Sequence, residues 1–254
     1  MRILKALLPA LVIIAAWELG AIFLFDPRFI GKPSEILVYL LAEIARGEIW
    51  VDAMVTFWEI MLGYVIGAIA GGALGLLLGF RPKLARIVEP YILIFSAIPK
   101  IAIAPIIIIA LGIGTQSKVA IVVSMVLFLI FYAVFSGIKQ IEPDFIDQAR
   151  IMGAKRYEVI RYVIIPAIAP NIFDGLKTSI VFAVIGALIG EFIAAKAGLG
   201  FYILNASGAF NINGLWVGVI LIVALVFVLT TGIGIVERRV LRWLPDLGSR
   251  SGGI

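Results

Sequence analysis

Long apolar stretches separated by short polar or proline-containing breaks organise this sequence. A membrane-spanning helix needs about 20 mostly apolar residues. Residues 6–25, 56–80, 87–111, 119–138, 172–194 and 215–236 each reach that length. The pattern predicts an all-α polytopic membrane protein with six transmembrane helices in a single domain, residues 1–254. The first stretch follows Arg2 and Lys5, as the core of a signal peptide would. Its apolar run exceeds the ~7 to 15 residues of such a core, and no convincing small-residue cleavage site follows, so it reads as a retained helix. Glu18 inside it is costly if it faces lipid.

Between the first two stretches, Asp26-Pro27 and Lys32-Pro33 break helix, Ser34 is placed to act as an N-cap, and Gly47 marks a stop. Residues 34–46 read as a short amphipathic helix. Ile36, Leu40 and Ile44 share one face, with Glu35, Glu43 and Arg46 elsewhere. It is too short to cross a bilayer and is expected outside the membrane core, along the surface or against other helices.

The second stretch carries Gly63, Gly67, Gly71, Gly75 and Gly79 at intervals of four. That spacing places all five on one ridge. Glycine costs about 1 kcal/mol against alanine in a helix interior, so the ridge implies a compensating close helix contact. In the third stretch Pro90, Pro99 and Pro105 predict a kinked or unwound helix. Thr115-Gln116-Ser117-Lys118 reads as a water-facing turn, and 197–213 as a Gly- and Asn-containing loop.

Residues 139–161 hold nine charges: Lys139, Glu142, Asp144, Asp147, Arg150, Lys155, Arg156, Glu158 and Arg161. The segment reads as a helix from Asp144 to Met152, a turn at Gly153, and a helix from Lys155 to Ile165 ending before Pro166. A merely solvated loop needs no such punctuation. With Ile146, Ala149, Ile151, Met152 and Tyr157 embedded in it, the segment is suited to docking on a soluble partner.

Composition supports this picture: 63% of residues are hydrophobic and 15% charged, against about half and a quarter in soluble domains. The net charge of +5 bears on topology before it bears on nucleic acid, which is not an expected partner. Fifteen of the 21 basic residues fall on one side if both termini are cytoplasmic, Lys118 being counted with the outer loops. The segment 139–166 and the tail 237–254 are then cytoplasmic too. The chain has no Cys and no His, which removes thiolate and imidazole nucleophiles and His/Cys metal sites. No catalytic or metal-binding residue is expected.

Lys100 lies deep in the third stretch, where an ionisable residue is a functional candidate. It could attract an anion, or snorkel, or pair with Glu191 or another carboxylate; the sequence leaves these readings open. With Pro99, Pro105 and Glu191 it makes up the candidate translocation pathway, although Glu191 is better placed to order the Gly198-containing loop. Glu18, Glu59 and Asp174 read as near-interface or helix-pairing residues. A proton-coupled carrier using Glu18, Glu59, Lys100 and Glu191 is the competing reading. The two halves show no clear repeat of span pattern, a repeat many such carriers have. An intramembrane enzyme lacks any residue constellation to support it.

Asp147-Gln148-Ala149, then Gly153, then Val163-Ile164-Ile165-Pro166, resembles the cytoplasmic signature of ABC importer permeases: E-A-A, three residues, G, nine residues, I-x-L-P. The spacing matches throughout. Asp147, Val163 and Ile165 depart conservatively, and Gln148 less so. Pro99-Lys100-Ile101-Ala102-Ile103-Ala104-Pro105, Leu111-Gly112-Ile113-Gly114, Gly190-Glu191-Phe192 and Gly198-Leu199-Gly200 are similar to permeases for nitrate, sulfonates and taurine. The resemblance implies the type I ABC importer permease fold, in the inner membrane of a bacterium. It implies two permease copies, two cytoplasmic ATP-binding subunits and an extracytoplasmic binding protein. No cofactor is expected on this chain, since it has no G-x-x-x-x-G-K-[ST] loop; ATP and Mg would belong to the partner. By the same analogy residues 144–155 couple to the ATPase. There Ala149 and Gly153 allow close approach and the turn, Asp147 and Arg150 pair, and Met152 and Lys155 flank the turn, while Pro166 marks the next helix. The cargo is expected to be a small anion such as a sulfonate, taurine or nitrate; a pyrimidine or thiamine precursor is the alternative.

Overall fold

The computed structural model describes residues 2–24 and 27–243, and these are helical almost throughout. The helices are α1 (Arg2–Phe23), α2 (Pro27–Ile30), α3 (Pro33–Arg46), α4 (Ile49–Gly79), α5 (Pro82–Ala97), α6 (Lys100–Leu111), α7 (Thr115–Lys139), α8 (Pro143–Ile151), α9 (Arg156–Val159), α10 (Ile165–Ala194), α11 (Leu199–Gly208) and α12 (Ile212–Val240). A π-helical turn, Ile160–Ile164, joins α9 to α10. The expected ends at Phe25 and Asp26, and the tail beyond Trp243 with Arg250, lie outside the described residues.

Among the described residues four helices are long and apolar enough to span a bilayer: α4, α7, the continuous Arg156–Ala194 and α12. The expected third span is two helices, α5 and α6, bent by 90°, and counts as a fifth span if taken together. The break falls at Ile98 and Pro99, both extended, because the residue before proline is pushed out of the helical region. Pro90 and Pro105 sit inside α5 and α6. The first expected span is not established at full length, since the apolar run described in α1 is Leu11–Phe23. Its Glu18 is half-exposed and hydrogen-bonded to the start of α3. The carboxylate accepts from Ser34 N–H (3.0 Å) and Ser34 Oγ (2.7 Å). Ser34 is therefore not the N-cap of α3; Lys32 is, with Pro33 at the first helical position. The exposed amide of that first turn is served by α1 instead.

The bundle is built around α7. On one side α4 lays its glycine ridge against it. A Cβ added at Gly63 would come within 2.5 Å of Val122, one at Gly67 within 2.9 Å of Val126, and one at Gly75 within 2.8 Å of Val134, with Gly79 against Ile138. The pairs keep one offset of 59 residues, so α4 and α7 run parallel. On the other side α10 runs antiparallel. Its Gly175 meets Ala133, Gly186 meets Val122 and Gly190 meets Lys118, while Gly137 of α7 meets Asn171. Small residues are what allow such approach where lipid gives no solvent-driven collapse. The ridge thus serves contacts within the chain.

Three further expectations are corrected. The polar run Thr115–Lys118 is the first turn of α7 rather than a water-facing loop; Ser117 and Lys118 are buried. The 197–213 loop contains α11. The helix predicted to stop before Pro166 continues through it for 39 residues in all, Arg156–Ala194. A π turn precedes the proline: Ile165 N–H bonds Ile160 carbonyl, a wider turn that eases the clash between the Pro166 ring and the preceding carbonyls.

Gly71 and Gly72 separate tight from loose packing on one helix. A Cβ at Gly71 would strike the Leu127 backbone carbonyl, whereas one at Gly72 would meet only Ile130 Cγ2 at 3.9 Å. Gly71→Ala is expected to destabilise the purified protein by about 1–3 kcal/mol, and Gly72→Ala to leave its thermal unfolding unchanged or raised. Equal melting temperatures for the two variants would remove the ridge from the α4–α7 contact.

Candidate functional site

Two regions carry polar chemistry. The first is the charged segment after α7. Helix α8 ends in a Schellman motif: Ala154 N–H bonds Ala149 carbonyl (3.0 Å) and Gly153 N–H bonds Arg150 carbonyl (2.9 Å). Gly153 takes φ +86° with open space around it, the left-handed geometry that glycine adopts at this position. Ile146, Ala149 and Ala154 pack on the bundle core beside Val159, Val163 and Ile164. The opposite side is free. Ile151 and Met152 are each 86% exposed, and Asp147 and Arg150 form an exposed pair at 3.3 Å. Beyond the turn, Glu158 accepts from Lys155 N–H at 2.6 Å, which starts α9. The result is a fixed turn that presents an apolar tip ringed by charge.

The second region is a buried polar cluster where α4, α7, α10 and α11 meet. Asp52, Thr56 and Glu59 lie on the α4 face that continues into the glycine ridge. Glu59 Oε1 accepts from Lys118 Nζ at 2.7 Å, with both side chains almost wholly enclosed. This pair has the same offset of 59 as the glycine contacts. Glu191 Oε1 accepts from Thr56 Oγ1 at 2.7 Å, and its Oε2 accepts from Gly200 N–H at 2.5 Å. Thr56 Oγ1 in turn accepts from Leu199 N–H, and Asp52 Oδ1 from Gly198 N–H, both at 2.8 Å. Three successive amides at the start of α11 are thus served by side chains of α4 and α10, which satisfies donors a helix start leaves open. Among the described residues no group of acidic side chains is arranged to hold a metal ion.

Lys100 does not meet Glu191. Its Nζ donates to the carbonyls of Phe95 (2.7 Å) and Ile98 (3.1 Å), with Ser96 at 3.4 Å. It also lies over the Phe128 ring, 4.7 Å from the centroid. Breaking the helix frees the last carbonyls of α5, and the ammonium reaches back to them. Pro99 caps α6 and Pro105 lies within it. The pathway candidates are therefore split: Pro99, Lys100 and Pro105 surround the break, and Glu191 belongs to the α11 cluster. Sequence reasoning did not find the Glu59–Lys118 pair. Its signal was the step of four from Lys118 through Val122, Val126, Ile130, Val134 and Ile138, which matches the glycine spacing.

The family model of the binding-protein-dependent transport system inner membrane component matches residues 63–242. The chain belongs to this family. It is similar to the putative aliphatic sulfonates transport permease protein SsuC of Bacillus subtilis, 26% identical over 94% of this chain and 87% of that one. It is also similar to the riboflavin transport system permease protein RibX of Chloroflexus aurantiacus, 30% identical over 92% and 87%. Among solved structures, the inward-facing MetNI methionine ABC transporter superposes with a TM-score of 0.67 at 23% identity, covering 76% of this chain and 97% of that one. The molecule is an ABC importer permease with the type I fold. In this permease Pro166 does not open a new helix; α9, the π turn and α10 form one rod from the exposed segment into the bundle.

Removing one partner of a buried ion pair leaves an uncompensated charge and costs about 3–5 kcal/mol. Lys118→Met is therefore expected to lower the unfolding midpoint sharply, and Glu59→Met combined with Lys118→Met to recover most of the loss. Thermal unfolding in detergent reads both; a single variant as stable as the native chain would show that the pair contributes nothing.

Proposed function

We propose that two copies of this permease, with two ATP-binding subunits on the cytoplasmic side, form an inner-membrane importer fed by an extracytoplasmic binding protein. Both termini and the α8–α9 segment then face the cytoplasm. The single observation that carries this reading is the α8 turn: a helix anchored by Ile146 and Ala149, with Ile151 and Met152 exposed at its tip. An apolar tip ringed by charge suits a groove on a soluble partner. ATP and Mg reside on that partner, and this chain holds no cofactor. The rod from Arg156 to Ala194 is about 58 Å long at 1.5 Å per residue, longer than the ~30 Å hydrocarbon core. It carries displacement of the docked turn into the membrane as one rigid element.

The broken helix lines the pathway. Discontinuous spans expose backbone polar groups only where they are covered by protein or face a polar cavity, and α5–α6 is the 90° break in this chain. The cargo is a small anion of the sulfonate, taurine or nitrate class, a reading that the likeness to SsuC supports. A neutral heterocycle is the second reading, favoured by the 30% identity to RibX. The Lys100 ammonium is occupied by carbonyls, so selectivity for charge rests mainly on the binding protein.

Two outcomes test this reading. Gly153→Val forces a β-branched residue into a left-handed conformation, without any steric clash. The variant is expected to insert and pack normally yet lose ATP-driven uptake in proteoliposomes containing the whole transporter. Uptake at the native rate, or uptake driven by a proton gradient without ATP-binding subunits, would refute the coupling role. Lys100→Met, by freeing the α5 carbonyls, is expected to lower the maximal transport rate while the ATP-binding subunits stay bound; unchanged rates would take Lys100 out of the pathway.

A further inference from the structure

The buried cluster does not balance its charge. Glu191 is fully enclosed, Glu59 is 1% exposed and Lys118 5%; two carboxyls share one ammonium. Dehydrated charge is tolerated only when paired and hydrogen-bonded. Among the described residues Lys118 is the one buried cation; Lys196, on the α10–α11 connection, is exposed. On α7, Ser117 is spent on the Gly114 carbonyl. Helix α6 carries no titratable residue beyond Lys100 at its far end. Helix α11 contributes its first amides, to Asp52, Thr56 and Glu191, and its Tyr202 packs with Tyr39 on the apolar cluster of Ile36, Ile49, Leu199 and Val217. Glu43 on α3 is paired with Arg46. One polar atom of the cluster is left over: Glu59 Oε2 is buried and receives no donor, and the nearest second carboxyl is that of Glu191, held by Thr56 one turn before Glu59 and following Gly190, which packs on Lys118.

An orphaned carboxyl oxygen beside a second carboxyl is the geometry in which two acids hold one proton. We propose that Glu59 and Glu191 share a single proton, donated from Glu59 Oε2 to the Glu191 carboxyl, and that this proton, with Lys118, latches the start of α11 onto α4 and α7. The proton brings the dehydrated group to neutrality and fills the one vacant hydrogen bond. It also leaves both Glu191 oxygens free to accept from Thr56 and Gly200, the contacts that hold α11. Removing it places two negative carboxylates side by side in the interior, and the separation that relieves them is the withdrawal of Glu191 from α11. The docked state binds one proton more than the released state, so docking weakens as pH rises and is complete below the titration of the pair. In the orientation proposed above this end of the bundle faces the binding protein. The proton count does not depend on that orientation.

The test uses the full-length chain in lipid nanodiscs. Infrared spectroscopy across pH reads the carbonyl stretch of a protonated carboxyl, and hydrogen–deuterium exchange reads the amides of Gly198 to Tyr202. The native chain is expected to show a protonated-carboxyl band that is lost in Glu59→Gln and kept in the surface variant Glu35→Gln. As that band titrates away, α11 exchange in the native chain is expected to rise on the order of tenfold relative to the same amides in Glu59→Gln, whose neutral amide cannot titrate. Three results overturn the proposal: no protonated band at any pH where the chain is folded, a band unchanged in both Glu59→Gln and Glu191→Gln, or a band that titrates while α11 exchange keeps a constant ratio. Should Glu59→Gln not fold, the native titration compared with Glu35→Gln decides on the same two readouts.

Discussion

Close packing on both flanks of α7 is the constraint on which this permease depends. Inside lipid, burying leucine against leucine gains nothing over burying it against a hydrocarbon tail, so helices associate through contact area and polar bonds. The chain answers this unequally. Its neighbours bring glycine: the α4 ridge on one side, and Gly175, Gly186 and Gly190 of α10 on the other. Helix α7 brings Val122, Val126, Ile130 and Val134, which are wholly or almost wholly buried and stiff at χ1. Rigid knobs entering backbone grooves lose little side-chain entropy.

Where that packing is absent, other contacts take its place. The α5–α6 break is held by a lysine reaching back to three carbonyls, and α12 has a largely exposed surface in the single protomer. The rod of α9 and α10 is anchored on α7 through Gly175, Gly186 and Gly190 and continues to the turn at Gly153. Its π turn does not interrupt it. Widening one turn eases the crowding that a proline ring imposes on the preceding carbonyls.

Much of this was legible from periodicity and spacing. The glycine interval of four announced a close contact, and the D-Q-A and Gly153 spacing announced the turn at Gly153. What failed has a common cause: polar residues were read by local company. Thr-Gln-Ser-Lys beside Gly114 has the composition of a loop, yet Lys118 is buried because its partner is 59 residues away. Ser34 looked like a cap because caps are usually local; the acceptor at that helix start is Glu18 of another helix. Helix α11 was missed because its N-terminal amides bond Asp52, Thr56 and Glu191, and no window of sequence around 199 contains that information. Pro166 was given its usual meaning as a stop, and the turn that absorbs it leaves no compositional trace.

The regularity of the α4–α7 contact carries an ambiguity of its own. Glycine every fourth residue facing Val122, Val126, Ile130, Val134 and Ile138 is a repeat against a repeat, like two combs with the same pitch. Sliding one helix past the other by four residues would bring Gly67 onto Val122 and Gly79 onto Val134, with shape complementarity almost unchanged. Apolar packing alone therefore fixes the spacing of the combs but not their phase. The Glu59–Lys118 pair occurs once along the interface, and any slip would strand both charges in the interior. A single ionic tooth, of little net worth to stability, makes one alignment out of several nearly equivalent ones.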